Sequence, residues 1–258
     1  MPIALTRNRK ITACAVLVAA LLAVAAFAPL PMSIIYPGLT ANVLGSNKGT
    51  PVIRISGAKA RTTTGQLRMT TIVATGPDAT VHFADVVKAW FATDEAALPR
   101  AAVYPTGGSV REIERHNQRE MTESQTAAAA AALKHLGLSP SDVRVTLRLA
   151  DVGGPSAGLM FSLGIIDKLD KPALTGGRTI AGTGTITAAG TVGAVGGVPL
   201  KMLAARRDGA TAFLVPKGEC PEAAPERPAG LRLIPVTTLN GALSALSTLR
   251  TGGRLPSC

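Results

Sequence analysis

The pattern of hydrophobic and polar positions begins with a long apolar segment near the N-terminus. Residues 11–28 are apolar apart from Thr12, and apolar character continues as far as Tyr36. A stretch of this length can span a bilayer as a helix. Because a basic cluster within residues 7–10 precedes it, the positive-inside rule predicts a cytoplasmic tail, an anchor over residues 11–36 and a remainder that faces outward.

A cleavable signal peptide is the competing interpretation of this segment. Ala26-Phe27-Ala28 has the small-x-small form of a cleavage site. Pro29 follows that site directly and disfavours cleavage, so the retained anchor is the leading interpretation. Under both interpretations, the rest of the chain is exported from the cytoplasm. The predicted localisation is the cell membrane with an extracytoplasmic domain or, alternatively, secretion after signal cleavage.

Beyond the turn pair Pro37-Gly38, strand patterns and helix patterns alternate. Alternating or β-branched stretches predict strands, namely at residues 52–56, 66–74, 143–149, 180–186, 190–195 and 212–215. Helical patterns, two of them ended by Gly137 and Gly209, predict helices, namely at residues 84–91, 112–136, 156–168, 201–207 and 239–249. Residues 99–109 are predicted to form a loop. This order predicts an α/β (α+β) fold with mixed sheets.

Composition and charge narrow the function classes. Apolar residues make up 47% of the 258 residues and aromatic residues only 3%, so the core must consist mainly of Ala, Val, Leu and Ile. The alanine run at residues 127–132 is interpreted as a helix that packs closely against another element. The formal net charge is +11, but no basic cluster alternates with aromatic residues, so nucleic acid is not an expected partner.

Cysteine and histidine usage leaves one question open. Cys220 and Cys258 form a disulfide if the domain lies in an oxidising compartment, or else they are two free thiols. The three histidines are scattered, and no Cys-x-x-Cys pair or Cys/His cluster occurs at ligand spacing. We therefore expect no metal and no cofactor.

The candidate chemistry lies in the tract from Asp151 to Gly158, which places Ser156 behind a Gly-Gly-Pro turn at the start of a predicted helix. A serine hydroxyl attacks a carbonyl carbon only if a base removes its proton. Lys201 follows 45 residues later in an apolar context, and the acid closest to it in sequence is Asp208. Burial disfavours a charged ammonium, so a buried Lys201 is a usable base.

Backbone donors complete this hypothesis. A helix N-terminus directs unpaired N–H groups at its ligand. Together with the N–H of Gly153 or Gly154, those near Ser156 would hold an oxyanion. The simpler alternatives are that Ser156 only caps a helix and that Lys201 is a solvated surface lysine.

Two motifs and an intervening threonine resemble the Lon-type serine peptidases, which use a Ser–Lys dyad. Residues 154–158 read Gly-Pro-Ser-Ala-Gly, residues 196–201 read Gly-Gly-Val-Pro-Leu-Lys, and Thr183 lies between them in Ala-Gly-Thr-Gly. The resemblance covers about residues 145–215. It implies Ser156 as nucleophile, Lys201 as base and Thr183 as a hydrogen-bonding residue that orients the dyad.

The upstream half is more similar to one branch of that family, the membrane-anchored, extracytoplasmic Lon-like proteases of bacteria. The residues that carry this similarity are Pro37-Gly38, Asn42-Val43-Leu44-Gly45, Gly65-Gln66-Leu67, Thr70-Thr71, Asn117-Gln118 and Met121-Thr122-Glu123-Ser124-Gln125. By resemblance, protein or peptide substrates and a homo-hexameric assembly are implied.

Three departures from the family's pattern affect the expected function. Only residues 137–142 separate the alanine-rich helix from the catalytic strand, which leaves no room for the PDZ domain usual in that branch. Gly153 stands where ATP-dependent members have an acidic residue. The ATPase domain of those members is not expected in this chain, which also has no Gly-x-x-x-x-Gly-Lys-Ser/Thr motif. Without an unfolding motor, the expected substrates are flexible or unfolded chains.

The leading hypothesis is an ATP-independent serine endopeptidase that acts through an acyl-enzyme. One alternative is a catalytically silent binding or scaffold protein of the same fold. The other is a small-molecule kinase, because glycine–serine turns before helices also bind phosphate. The expected organisation is a tail at 1–10, an anchor or signal peptide at 11–36, an N-terminal part at 37–142, a proteolytic core at 143–250 and a tail at 251–258.

Overall fold

Helices and strands alternate along the computed structural model, which describes residues 7–104, 109–149, 152–171 and 173–258. The helices are α1 (Arg7–Phe27), α2 (Phe83–Phe91), α3 (Arg100–Val103), α4 (Val110–Leu136), α5 (Gly158–Leu169), α6 (Val198–Arg207), α7 (Cys220–Ala223) and α8 (Leu239–Thr251), with a 3-10 turn at Lys217–Glu219. The strands are β1 (Met32–Asn42), β2 (Ser46–Asn47), β3 (Thr50–Pro51), β4 (Ile53–Ser56), β5 (Gln66–Ala74), β6 (Ala96–Pro99), β7 (Arg144–Leu147), β8 (Thr179–Gly182), β9 (Thr185–Ile186), β10 (Val192–Gly193), β11 (Ala212–Pro216) and β12 (Arg232–Val236).

The contacts divide the chain into two compact units. The first, called the N-terminal unit, comprises residues 1–36 and 74–109, and the second, called the sheet unit, comprises residues 37–73 and 110–258. The boundaries between the units fall inside β1, inside β5 and directly before α4. The tail, anchor and domain boundaries expected from the sequence stay predictions.

The N-terminal unit contains α1, α2, β6 and α3 with the first residues of β1. Residues 32–35 of β1 pair antiparallel with β6, and a small apolar cluster is formed by Ile34, Val81 and Ala89. Helix α1 is long and apolar enough to cross a membrane, and none of its residues is buried within the structure. Only the length and the composition of α1 support a membrane span, and a signal sequence has the same properties.

The sheet unit is built on a mixed sheet in which β12, β11, β8, β5 and β1 are neighbours in that order. The pairs β12–β11, β11–β8 and β8–β5 are parallel. Separate antiparallel pairs are formed by β4 with β7 and by β9 with β10. The mixed α/β class that the sequence predicts is confirmed.

Helix α5 forms the centre of the core in this unit. Leu159, Phe161, Leu163 and Ile165 are all fully buried. The alanine-rich part of α4 packs on α5, and Ala128 and Ala132 have no exposed surface. The alanine run is therefore a close packing surface, as the sequence indicates, and it fixes the start of α5 where the predicted nucleophile lies.

Several local predictions differ from the structure. Residues 32–36, expected to end the anchor, and Pro37-Gly38, expected to open a turn, all lie in β1. Hydropathy does not distinguish a membrane-spanning segment from a strand that is buried in protein, and Ile34 and Ile35 are buried by protein packing. Strands β6 and β12 were not anticipated, and α3 interrupts the predicted loop at 99–109, of which residues 105–108 lie outside the described residues.

Candidate active site

Ser156 lies in a tight turn immediately before α5. The sequence predicts that the helix begins at Ser156, whereas it begins at Gly158 with Ala157 as its N-cap residue. The backbone carbonyl of Ser156 accepts hydrogen bonds from the Gly184 N–H at 2.9 Å and from Thr183 Oγ1 at 3.3 Å. The structure therefore contradicts the alternative that Ser156 is the helix cap.

Helix α4 holds this turn from one side. Ser124 Oγ donates to the Pro155 carbonyl at 2.9 Å, and the Gly154 N–H donates to the Asn117 carbonyl at 3.1 Å. A Cβ atom on Gly153 would lie 2.8 Å from Asn117 Cβ. The absence of a side chain at position 153 thus has a packing cause, because α4 approaches the turn of the predicted nucleophile too closely for one.

The predicted oxyanion donors fall into two groups. The Gly154 N–H is bonded to Asn117, so it is not available to a substrate in this arrangement. The N–H groups of Gly153 and Ser156 have no hydrogen-bond partner within the described part of the chain. Asp151, where the predicted tract begins, lies outside the described residues.

Thr183 occupies a break between two strands. The sequence predicts one strand over residues 180–186, but the structure has β8 up to Gly182 and β9 from Thr185. At the break, the Thr183 N–H donates to the Leu214 carbonyl at 3.1 Å. This directs the buried Thr183 side chain toward both Ser156 and Lys201.

Lys201 is a buried residue of α6, with only 3% of its surface exposed. This contradicts the alternative that it is a solvated surface lysine. Its Nζ donates to Thr183 Oγ1 at 3.3 Å. Among the hydrogen bonds of the described residues, none joins Ser156 Oγ to Lys201 Nζ. Catalytic hydrogen bonds are often long in unliganded enzymes and tighten only in the substrate complex.

Burial sets the protonation state of Lys201. Desolvation lowers the pKa of its ammonium to about 8, although the carboxylates of Glu219 and Glu222 act in the opposite direction. A substantial fraction of Lys201 is therefore neutral in mildly alkaline solution. The same side chain would be almost fully charged if it were in water.

Glu219 and Glu222 were missed by the sequence reasoning, which identified Asp208 as the closest acid along the chain. The two glutamates flank Cys220 at the start of α7, and Ala223 of this helix is buried against residues of α6 such as Met202. Burial and the neighbouring Glu219 carboxyl raise the pKa of Glu222. Asp208 instead binds Thr40 and Arg68. No local sequence signal connects the two glutamates with Lys201.

A disulfide between Cys220 and Cys258 resolves the pairing that the sequence left open. It attaches the C-terminal residue of the chain to the first residue of α7. Among the described cysteines, Cys14 in α1 is free.

A cleft of about 1080 Å³ borders Gly153, at the start of the turn that carries the predicted nucleophile. One wall is formed by α4, including Arg111, Arg115 and Met121, and the other by Leu149, Val152 and Gly153. The cleft is large enough to hold an extended peptide segment, and Ser156, Thr183 and Lys201 are not among the described residues that line it.

Comparisons with known proteins agree with this geometry. Residues 139–246 match the family model of the Lon protease (S16) C-terminal proteolytic domain. The chain is 28% identical to Lon protease 2 of Bacillus subtilis (strain 168) over 132 residues, which are 50% of this chain and 23% of that protein. It is 47% identical to the Lon protease of Clostridioides difficile (strain 630) over 67 residues, which are 26% of this chain and 8% of that protein.

The chain thus matches less than a quarter of the length of either relative. The matched region contains Ser156, Thr183 and Lys201, together with α5, α6 and the parallel strands that position them. Residues 139–246 are therefore similar to the Lon protease (S16) C-terminal proteolytic domain, the domain of a serine-type protease family.

Proposed function

We propose that this chain is an ATP-independent serine endopeptidase with Ser156 as nucleophile and Lys201 as general base. The single observation that carries the proposal is the Thr183 hydroxyl, which bonds both Lys201 Nζ and the Ser156 carbonyl. Through it, the base and the nucleophile turn are held by one buried side chain. A scaffold protein would have no need to bury a lysine at this position.

In the proposed mechanism, neutral Lys201 removes the Ser156 hydroxyl proton while Oγ forms a bond to the substrate carbonyl carbon. The N–H groups of Gly153 and Ser156 stabilise the oxyanion. The C–N bond then breaks as the Lys201 ammonium gives its proton to the departing amine. Water attacks the resulting acyl-enzyme with Lys201 again as base, which releases the acid and restores Ser156.

We further propose that α1 anchors the chain and that the sheet unit functions outside the cytoplasm. The Cys220–Cys258 disulfide supports this placement, since structural disulfides persist in oxidising compartments. Flexible or unfolded protein segments are the proposed substrates. Independence of ATP is supported by the lack of a phosphate-loop motif in this sequence. The hexameric assembly and the lack of a PDZ domain remain predictions from the resemblance.

The test compares the full-length chain in detergent with Ser156→Ala and Lys201→Ala variants on an unfolded protein substrate without ATP. Both variants should lose at least about a hundredfold in kcat/KM, whereas Ser247→Ala, which changes an exposed serine of α8, should retain full activity. Unchanged hydrolysis in either site variant would refute the proposal.

A serine-directed covalent probe distinguishes the proposal from a silent scaffold. The probe should label Ser156 in the unaltered chain and should not label the Ser156→Ala variant. A scaffold would show no labelling of Ser156. Nucleotide binding by the full-length chain would instead favour the kinase alternative.

A further inference from the structure

Helix α2 of the N-terminal unit displays an apolar face that no described residue covers. Trp90 and Phe91 are 84% and 86% exposed, and Phe83 is 55% exposed. The whole chain has only eight aromatic residues, namely one Trp, two Tyr and five Phe. Three of them are therefore exposed on one nine-residue helix, although burial of such side chains is strongly favourable.

The periodicity of α2 places these residues on one side. At 100° per residue, Phe83, Val87 and Trp90 lie along a single stripe, with Phe91 beside it. The opposite side carries Ala89, which is buried. The helix is thus amphipathic, but the buried residue that faces the protein is the small Ala89, and the large aromatic residues face outward.

Hydrogen bonds attach α2 to the end of α1. The Leu30 N–H donates to the Val81 carbonyl at 2.8 Å. Leu30 is three residues beyond the last residue of α1, and Val81 is two residues before the first residue of α2. Arg100 adds a second tie, since its guanidinium donates to the Ala79 and Met32 carbonyls. The aromatic stripe is therefore held close to the point where α1 ends.

The length of α1 locates that point relative to a bilayer. Its 21 residues span about 32 Å at 1.5 Å per residue, close to the roughly 30 Å of a hydrocarbon core. Phe27, its last residue, is 77% exposed. A helix tied within three residues of this end lies at the depth of the lipid headgroups, where Trp and other aromatic residues are enriched.

We propose that α2 is an interfacial helix whose Phe83, Trp90 and Phe91 side chains insert into the outer surface of the lipid bilayer that α1 spans. The proposal depends on the membrane anchoring described above and not on the catalytic mechanism. Its partner is the headgroup–acyl boundary of the membrane, which accepts amphipathic helices by their apolar face.

The charges of α2 indicate that lipid charge is unimportant for this contact. Lys88 is bound by Glu95 at 3.0 Å, and Asp85 lies in the first turn of the helix. The helix therefore offers no unpaired cluster of positive charge to anionic headgroups. Insertion should depend on apolar burial and should be similar in zwitterionic and anionic vesicles.

Trp90 is the single tryptophan of the chain, so intrinsic fluorescence tests the proposal directly. The full-length chain is reconstituted into phosphatidylcholine vesicles with or without brominated acyl chains, and acrylamide is added from the aqueous side. We expect bromolipid to reduce Trp90 emission by about half and acrylamide quenching to fall at least about twofold relative to the denatured chain. Vesicles with added phosphatidylglycerol should give the same result.

The matched control moves the tryptophan. In the double variant Trp90→Phe with Lys171→Trp, the fluorophore occupies an exposed site of the sheet unit, and we expect it to be quenched by acrylamide and not by bromolipid. Strong acrylamide quenching of Trp90 without bromolipid quenching would overturn the proposal. Protection from both quenchers would also overturn it, since it would show that a protein surface, such as a second copy of the chain, covers α2.

The outcome is independent of peptidase activity. If bromolipid does not quench Trp90 while the chain still hydrolyses its protein substrate, only the interfacial helix is refuted. Loss of hydrolysis in the Ser156→Ala variant with unchanged quenching would leave it intact. Phe91→Asp provides a second check, because a carboxylate beside the apolar stripe should weaken the quenching of Trp90 by bromolipid.

Discussion

The Thr183 hydroxyl accepts a hydrogen bond from Lys201 Nζ at 3.3 Å. The same hydroxyl donates its single proton to the Ser156 carbonyl, so its direction toward Lys201 is determined. A neutral amine has two protons and one lone pair. Because one proton of Lys201 is directed at Thr183, the lone pair is left for the proton of an incoming hydroxyl group.

Activity should depend on the deprotonation of Lys201. Since burial lowers its pKa to about 8, kcat/KM should rise about tenfold per pH unit below that value and level off above it. The measurement is a pH–rate profile of the full-length chain on a fluorogenic peptide. A plateau that extends down to pH 6 would show that Lys201 is not the base.

Replacing Glu222 should shift this profile. Its carboxylate raises the pKa of Lys201, so Glu222→Gln should move the rising limb toward lower pH and increase kcat/KM at pH 7 by about twofold. Glu226→Gln is the control, because Glu226 is not among the groups that act on Lys201. Identical profiles for the two variants would contradict the electrostatic coupling.

The Thr183→Val variant should lose both hydrogen bonds while it keeps the shape of the residue. We expect kcat to fall about 10- to 100-fold with little change in KM, because the base is misplaced and substrate binding is not. Thr183→Ser should recover most of the activity. Thr175→Val removes another buried threonine hydroxyl, bound to the Thr64 carbonyl, and should leave kcat unchanged.

The buried Lys201 should cost stability. Its folded-state pKa of about 8 lies below the usual 10.5, so the unfolded chain binds more protons between these values and the free energy of unfolding rises with pH across that interval. Lys201→Met should abolish hydrolysis, raise stability at pH 7 by roughly 2 kcal/mol and remove this pH dependence.

Denaturant unfolding at pH 7 and pH 9.5 measures the stability gained by Lys201→Met and the pH dependence of the free energy of unfolding. The exposed Lys171→Met substitution serves as the control and should change neither. A Lys201→Met variant less stable than the unaltered chain at pH 7 would indicate that the lysine contributes net stabilising contacts.

Gly153→Ala should displace the nucleophile turn. The added methyl group would lie 2.8 Å from Asn117 Cβ, so either α4 or the turn must move, at a cost of about 1–3 kcal/mol. We expect a lower Tm together with a reduced kcat. Gly76→Ala adds a methyl group in open space and should alter neither quantity. Normal activity in Gly153→Ala would show that the turn adapts without loss.

Local patterns were sufficient for most of the elements around the proposed dyad. The predicted strand at residues 66–74 matches β5, and the predicted helices at 112–136 and 239–249 agree with α4 and α8 to within a few residues. These elements have strong periodicity and clear stops. The break at Thr183 was not predicted, because it arises from hydrogen bonds to Leu214 and Ser156, which are distant in sequence.

The sequence by itself determined the pair of motifs, the apolar context of Lys201 and the apolar helix α1, since each depends on residues that are close together in the chain. Only the tertiary structure decided the surroundings of Lys201. It brought Glu219 and Glu222 to the lysine, placed Asn117 against Gly153 and tied α2 to the end of α1. Such contacts depend on the packing of elements far apart in sequence, and no local periodicity encodes that packing.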